Sequence, residues 1–276
     1  MYIDAHHHLW NFDSEEYDWI DDSMSVLQRD FLVKDLEQTL TTNGFSASVA
    51  VQARQSMQET LWLLKLAETT ELIKGVVGWI DLKSDSLEQQ LDELANHKKL
   101  VGFRHVIQGE SDPAFMQNPD FIRGLKMLAD RGYRYDLLIF AHQLPAASAM
   151  IAQVPNLKVV IDHIAKPDIK TEKDFDNWQQ GMAVLAHNPN CYCKLSGMVT
   201  EADWHNWSVA DFQPFMKTVL ALFGEQRMMF GSDWPVCLVA AEYQQVKQLV
   251  LDFSAIYAPD ATNKIFGENA RQFYQL

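Results

Sequence analysis

Eight short apolar runs recur along this chain, and their even spacing constrains its fold more than any other feature. The runs are Tyr2–His6, Ala47–Gln52, Gly75–Ile80, Leu100–His105, Arg134–Phe140, Leu157–Asp162, Cys191–Ser196 and Arg227–Gly231. Most are separated by longer segments with helical periodicity, such as Met57–Thr70, Leu87–His97, Pro119–Arg131, Leu144–Gln153 and Glu242–Tyr257. A strand followed by a helix, repeated eight times, predicts an α/β fold, the parallel (β/α)8 or TIM barrel.

The length and net charge of the chain limit the number of domains and the kinds of partner that it can have. The 276 residues fall in the size range of a one-domain barrel and no flexible linker divides them, so residues 1–276 are expected to form a single domain. The net charge of −14, without any basic block, argues against a nucleic-acid partner. No apolar stretch approaches the roughly 18 residues of a membrane span, and no signal sequence begins the chain, so a cytoplasmic protein without a membrane partner is expected. No pattern indicates the oligomeric state.

Three cysteines are present, an odd number that does not suggest a disulfide framework. Cys191 and Cys193 lie on one face of a predicted apolar strand. The spacing of this pair allows a metal role, but core packing is the more common explanation for such a pair.

Two histidines close the first predicted strand. Successive strand residues face opposite sides, so His6 and His8 are expected to point one way and His7 the other. Imidazole is the commonest protein ligand for zinc-like metals, so two converging rings would make half of a metal site.

Other polar residues also close predicted strands, namely Arg54, Asp81, Arg104, His105, His142, Asp162, His163 and Asp233. Each alone has a structural explanation, such as a hydrogen-bonded histidine or an aspartate that caps a helix. In a barrel of this type, however, the strand ends form one rim that carries the catalytic groups. The set therefore predicts an active site, with the irregular segments Asn11–Asp30 and Lys166–Asp176 as loops above it.

Several motifs recur in a fixed order: Ile3-Asp-Ala-His-His-His8, Gly78-Trp79, Gly102-Phe-Arg-His105, Ile161-Asp-His-Ile-Ala-Lys-Pro167, Lys194-Leu-Ser-Gly197 and Gly231-Ser-Asp-Trp-Pro235. With them the chain resembles the amidohydrolase superfamily, in particular its lactonase branch, which includes fuconolactone, rhamnonolactone and pyrone-dicarboxylate lactonases. The resemblance extends over almost the whole chain, to Asn269-Ala-Arg271. The HxH motif alone is weak, but its combination with DHxAKP and GSDWP in this order is specific.

The resemblance implies a distorted barrel of the metal-dependent hydrolase type. Carried over by position, His6, His8, His142 and Asp233 look like the ligands of one divalent metal ion, zinc or manganese, and His163 looks like the group that polarises the substrate carbonyl. It leaves open whether His142 or His163 is the third nitrogen ligand. Two-metal relatives carry a bridging lysine on strand four, where this chain has Arg104, so no second metal is expected.

The implied activity is the opening of a sugar-acid lactone, with a small lactone related to L-fuconolactone or L-rhamnonolactone as substrate. Asp233 would take a proton from water and return it to the leaving oxygen. Arg104, His105 and His163 would donate to the developing oxyanion. A structural alternative for Arg104 is an ion pair with Asp81 or Asp136.

Further side chains are candidates for substrate binding. Arg54 is expected to hold a carboxylate or a polyol of the substrate. Trp10, Trp79 and Trp234 offer aromatic faces to a sugar ring, although core packing is the alternative for each.

Two other functions fit the same motifs. A metal-dependent nonoxidative decarboxylase of this superfamily uses similar histidines and a strand-eight aspartate, and it would release CO2. A catalytically silent barrel that only binds sugar acids is a third possibility. The joint presence of His6, His8, His163 and Asp233 argues against mere binding, which needs neither a base nor metal ligands.

Overall fold

The computed structural model describes residues 1–276, and its centre is one eight-stranded parallel sheet. The strands are β1 (Ile3–His7), β2 (Ala47–Val51), β3 (Ile73–Gly78), β4 (Leu100–Val106), β5 (Arg134–Leu138), β6 (Lys158–Ile161), β7 (Cys191–Leu195) and β8 (Met228–Phe230). Their order in the sheet is their order in the chain. The predicted TIM barrel is confirmed.

Helices alternate with the strands and cover the sheet. They are α1 (Val33–Thr42), α2 (Met57–Glu68), α3 (Leu87–Leu94), α4 (Pro119–Asp130), α5 (Leu144–Ala152), α6 (Phe175–Ala186), α7 (Val209–Phe223), α8 (Tyr243–Tyr257) and α9 (Asn269–Tyr274). Caps fix several starts: the side chains of Ser56 and Asn118 accept hydrogen bonds from the first-turn amides of α2 and α4. None of the helices has both the length and the apolar composition that crossing a membrane requires.

The barrel closes irregularly between β1 and the segment after β8. The two segments share a single parallel bridge, between His7 and Trp234, in place of a regular ladder. The His8 amide donates to the Trp234 carbonyl at 2.7 Å, and the Asp233 amide donates to the His6 carbonyl at 2.8 Å. This closure confirms the expected distortion, and it brings His6, His8 and Asp233 to the same place.

The core has two parts. Most buried apolar side chains lie between the sheet and the helices, and they include the free thiols of Cys191 and Cys193, which confirms the packing interpretation of that pair. A smaller cluster joins the starts of β1 and β2 to α9 through Ile3, Ala47 and Phe273. The polar residues collect at the other, carboxyl-terminal end of the strands.

Candidate metal and active site

Four side chains converge at the carboxyl-terminal end of the barrel. Nε2 of His6 lies 3.1 Å from Nε2 of His8, and Oδ1 of Asp233 lies 3.3 Å from Nε2 of His8. The same oxygen is 3.8 Å from Nε2 of His6 and 3.8 Å from Nε2 of His163. Ligand atoms around a tetrahedral zinc are separated by about 3.3 Å when the bonds are about 2.0–2.1 Å long. The spacing of these four buried groups therefore fits a divalent metal ion.

Backbone conformation places two of the four groups. His163, Ile164, Ala165 and Lys166 all have left-handed φ angles between 46° and 61°, and Asp233 has φ 57°. Such conformations cost energy in residues other than glycine, and they persist only where the surrounding structure enforces them. Strained backbone of this kind clusters at functional sites, and here it coincides with the convergent side chains.

Hydrogen bonds orient the imidazole rings. Nδ1 of His8 lies 2.8 Å from the Val51 carbonyl, which only accepts, so Nδ1 carries the proton and Nε2 presents its lone pair to the site. Nδ1 of His163 lies 2.9 Å from Oγ of Ser196, a hydroxyl that can donate or accept. His163 can therefore present either a lone pair or an N–H at Nε2.

Burial sets the charge state of the group. It lowers the pKa of His6 well below its usual value, with the nearby Lys194 charge adding to the effect, and it lowers the pKa of His163 to about 4. Burial raises the pKa of Asp233, but the surrounding histidines, foremost His163, outweigh it and hold the pKa below its usual value. Neutral imidazoles beside one carboxylate anion are a donor set suited to a divalent cation.

A buried ionic network lies beneath these ligands. Nζ of Lys194 is 2.5 Å from Oδ2 of Asp136 and 3.0 Å from Oδ1 of Asp162. Tyr274 donates its hydroxyl to Asp136 at 2.8 Å. Nδ1 of His6 faces the network, 3.1 Å from Nζ of Lys194 and 3.4 Å from Oδ1 of Asp162. The network thus holds the back of the His6 ring.

Sequence reasoning did not place Lys194 and Asp136 in the site. A signal was available, because each is a charged residue inside a buried, mostly apolar strand, Lys194 in β7 and Asp136 in β5. Buried charges are rare unless they are paired, so two of opposite sign predict a contact inside the barrel.

Arg104 belongs to the same network. Its Nη1 lies 3.0 Å from Oδ2 of Asp162 and 3.3 Å from Nε2 of His6, and its Nη2 donates to the Gln52 carbonyl at 2.5 Å. The ion-pair partner is therefore Asp162, not Asp81 or Asp136 as the structural alternative supposed. Arg104 also lines the cavity above the site.

A cavity of about 760 Å³ opens above the convergent group, with His8, His163 and Asp233 in its wall. Segment 11–30 lines it through Glu16, Asp18, Trp19 and Met24, as expected for a loop over the site. Of the second predicted loop only Lys166 lines it, and a loop after β7 that was not predicted adds Thr200, Glu201 and Trp204. Arg54 also lines the cavity, where it pairs with Glu16.

His142 does not join the convergent group, so its prediction as a metal ligand is not supported. Strand β5 ends at Leu138, and the chain has already turned toward α5 at residue 142. The side chain is exposed and stacks on Phe140, with ring centroids 5.9 Å apart. The third imidazole near Asp233 is that of His163.

His105 and Trp79 also lie away from the cavity. Adjacent strand residues face opposite ways, so His105 points outward where Arg104 points inward. Nε2 of His105 lies 2.6 Å from Oε1 of Glu110, and its Nδ1 lies 3.3 Å from the Trp79 indole nitrogen, which donates. Trp79 lines a separate outer cavity. Neither side chain can contact a substrate held near Asp233.

Trp10 and Trp234 are core residues rather than a sugar platform. Both are at most 4% exposed, and both pack edge-to-face against Phe31. The tryptophans that line the cavity are instead Trp19 and Trp204, on loops whose conformation the strand pattern did not predict.

Gly197 provides a test of how closely His163 is held. A Cβ at this position would lie 2.4 Å from Nδ1 of His163, and the backbone has φ 57°. We expect Gly197→Ala to displace the imidazole and lower kcat/KM by about 10²-fold, the usual cost of a misplacement of about 1 Å. Gly44→Ala is the matched control, because Gly44 has φ 77° but open space around it. Equal losses in the two variants would show that backbone strain, not the contact with His163, is responsible.

Comparison with known proteins agrees with this geometry. The amidohydrolase family model matches residues 3–276. The chain is 42% identical over 258 residues to an L-fucono-1,5-lactonase of Burkholderia multivorans, covering 90% of this chain and 86% of that protein. A second L-fucono-1,5-lactonase, from Burkholderia ambifaria, is 33% identical, covering 99% of this chain and 95% of that protein.

A solved structure shows the same architecture. The crystal structure of an amidohydrolase from Burkholderia multivorans with bound zinc superposes with a TM-score of 0.96 at 39% identity, covering 100% of this chain and 99% of that chain. With the family match over residues 3–276 and the lactonase relatives, this likeness shows that the chain belongs to the amidohydrolase family.

Proposed function

We propose that this protein is a lactonase that hydrolyses the ring ester of a sugar-acid lactone of the L-fuconolactone or L-rhamnonolactone kind. The observation that carries the proposal is the Asp233 carboxylate among three imidazoles, with Asp233, His8 and His163 in the wall of the main cavity. The 42% identity to an L-fucono-1,5-lactonase supports the same reaction. Residues 1–276 would act as one domain, since all eight strands belong to one sheet.

Asp233 is the base in this proposal. Its low pKa keeps it ionised at neutral pH, so it can accept a proton from the attacking water and return it to the ring oxygen as the ester bond breaks. The left-handed backbone at Asp233 and the hydrogen bond from its amide to the His6 carbonyl hold the carboxylate in place.

His163 is the electrophilic partner. When Ser196 donates its hydroxyl to Nδ1, the Nε2 proton of His163 is available to the carbonyl oxygen of the lactone. Arg104 acts indirectly, through its contacts with the Asp162 carboxylate and the His6 ring, which it holds in position. Arg54, which lines the cavity, is proposed to bind hydroxyl groups of the substrate.

His6, His8 and Asp233 would hold one zinc or manganese ion, because nitrogen and carboxylate ligands without thiolate suit these metals. A bound ion would supply charge to polarise the ester and to lower the pKa of water toward ~7.

We expect elemental analysis to give about one equivalent of divalent metal per chain. Removal of the metal by a chelator should lower the melting temperature, and zinc or manganese should restore it, since a ligand that binds only the folded state stabilises it. Two tightly held equivalents, or a melting temperature that chelation does not move, would contradict the mononuclear site.

The function itself is tested by a screen of sugar-acid lactones with a pH indicator, with metal content measured on the same sample. Acid release without CO2 supports the lactonase. CO2 release would indicate the decarboxylase, and binding without turnover would indicate the silent barrel.

A further inference from the structure

We propose that the Lys166–Glu201 ion pair selects neutral polyhydroxylated lactones and rejects lactones that carry a free carboxylate. The role of this pair depends on the lactonase activity proposed above and extends it to a substrate class. Nζ of Lys166 lies 3.1 Å from Oε1 of Glu201, and both side chains line the main cavity. They are 17% and 19% exposed, so most of each side chain is shielded from solvent.

Lys166 is tied directly to the catalytic group. It is the last of the four left-handed residues that begin with His163, and its amide donates to the His163 carbonyl at 2.8 Å. The ammonium also lies 5.8 Å from the ring centroid of Phe140, another residue of the cavity wall. The position of Lys166 is therefore set by the same turn that sets His163.

Glu201 is held from the other side of the pair. It ends a short 3₁₀ turn after β7, Val199–Glu201. The Thr200 hydroxyl lies 3.4 Å from Oε1 of Glu201, and the Glu201 carbonyl accepts from the Lys170 amide at 3.2 Å. Two loops thus fix the cation and the anion relative to each other.

No lysine or arginine of the cavity wall is left without a carboxylate partner. Arg54 pairs with Glu16, Arg104 with Asp162, and Lys166 with Glu201. A substrate carboxylate would therefore meet side-chain cations that are already neutralised, and anions beside them that repel it.

A neutral polyol meets complementary groups at the same place. An ammonium has three donors, of which Glu201 uses one, and a carboxylate has a second oxygen free to accept. A hydroxyl group both donates and accepts, so one substrate hydroxyl can bridge Lys166 and Glu201. The same reasoning favours a substrate hydroxyl, rather than a substrate carboxylate, as the group that Arg54 binds. Arg54 is also paired with a carboxylate, that of Glu16.

The test compares two lactones that differ only at one end. A galactonic acid 1,4-lactone ends in a hydroxymethyl group, and the galactaric acid 1,4-lactone of the same ring configuration ends in a carboxylate. Glu201→Gln removes the anion with little change of shape. We expect it to lower kcat/KM for the neutral lactone and raise it for the anionic lactone, so that their ratio falls by roughly tenfold or more, as for a hydrogen bond to a charged group.

Asp203→Asn is the matched control. Asp203 forms a 3.0 Å ion pair with Lys170 on the same two loops, but neither side chain lines the main cavity. The control should leave the ratio within about twofold, because solvent screens this exposed pair and neither side chain lines the cavity.

Lys166→Gln distinguishes a change of specificity from a general disturbance of the two loops. It leaves Glu201 unpaired, so the ratio is expected to move the opposite way, toward the neutral lactone. Ratios that move in the same direction in both variants, or that stay unchanged in Glu201→Gln, overturn this inference while the lactonase function stands. If the wild-type protein hydrolyses neither these lactones nor any in the wider screen, the proposed function falls and this inference with it.

Discussion

Replacing Asp233 by Asn is expected to lower kcat by about 10²–10⁴-fold while the protein keeps its fold. The amide has nearly the shape of the carboxylate, but it cannot accept the proton of the attacking water. The backbone should tolerate the change, because asparagine adopts the left-handed conformation more readily than most residues and Asp233 has φ 57°. Loss of the negative charge should also lower the affinity for a divalent cation held by His6 and His8.

Steady-state kinetics on the best lactone of the screen would measure this loss, and the melting temperature would show that the variant is folded. Metal content must be measured on the same sample, so that loss of the base is separated from loss of the ion by adding metal back. An Asp233→Asn variant that retained most of the wild-type kcat would transfer the role of base to another group. His163 is then the candidate, because its Nε2 lies 3.8 Å from Oδ1 of Asp233 and it is not one of the proposed metal ligands.

Lys194→Met is expected to destabilise the fold by about 3–5 kcal/mol, the usual cost of removing one partner from a buried ion pair. Methionine matches the aliphatic part of the lysine side chain in length, so the packing around that part changes little. The variant would leave the carboxylates of Asp136 and Asp162 inside the barrel without the ammonium that lies 2.5 Å and 3.0 Å from them. Burial already raises the pKa of Asp136 to about 6 even with that ammonium present.

Denaturant unfolding followed by circular dichroism measures the loss. Lys264→Met serves as the control, because Lys264 forms an ion pair of similar length, 3.0 Å, with the partly exposed Glu225. A cost of about 0–1 kcal/mol is expected for the control. Equal losses in the two variants would mean that the buried network does not stabilise the barrel.

The fold was predictable because it depends on local patterns. A strand pattern followed by a helical pattern recurs along the chain, and all eight predicted strands are consistent with the same barrel. The bounds of individual strands differ from the predicted runs: the third run is Gly75–Ile80, whereas β3 is Ile73–Gly78. Strand ends depend on which amides find partners on the neighbouring strand, and hydropathy does not report this.

The site was predictable where sequence spacing sets geometry. His6 and His8 point the same way because strand side chains alternate, and their Nε2 atoms do converge. The same alternation, applied to Arg104 and His105, excludes one of the two from the cavity. Counting both as site residues was therefore an error that the sequence alone could have corrected.

What the sequence by itself determined is the barrel, the strand-end location of the chemistry and the family motifs that mark His6, His8, His163 and Asp233. Only the tertiary structure decided that His163, not His142, faces Asp233, and that Trp10 and Trp234 are core residues. It also decided that Lys194 and Arg104 neutralise Asp136 and Asp162. The physical reason is that these contacts join residues far apart in the chain, where loop paths and the pairing of buried charges, rather than local periodicity, set which atoms meet.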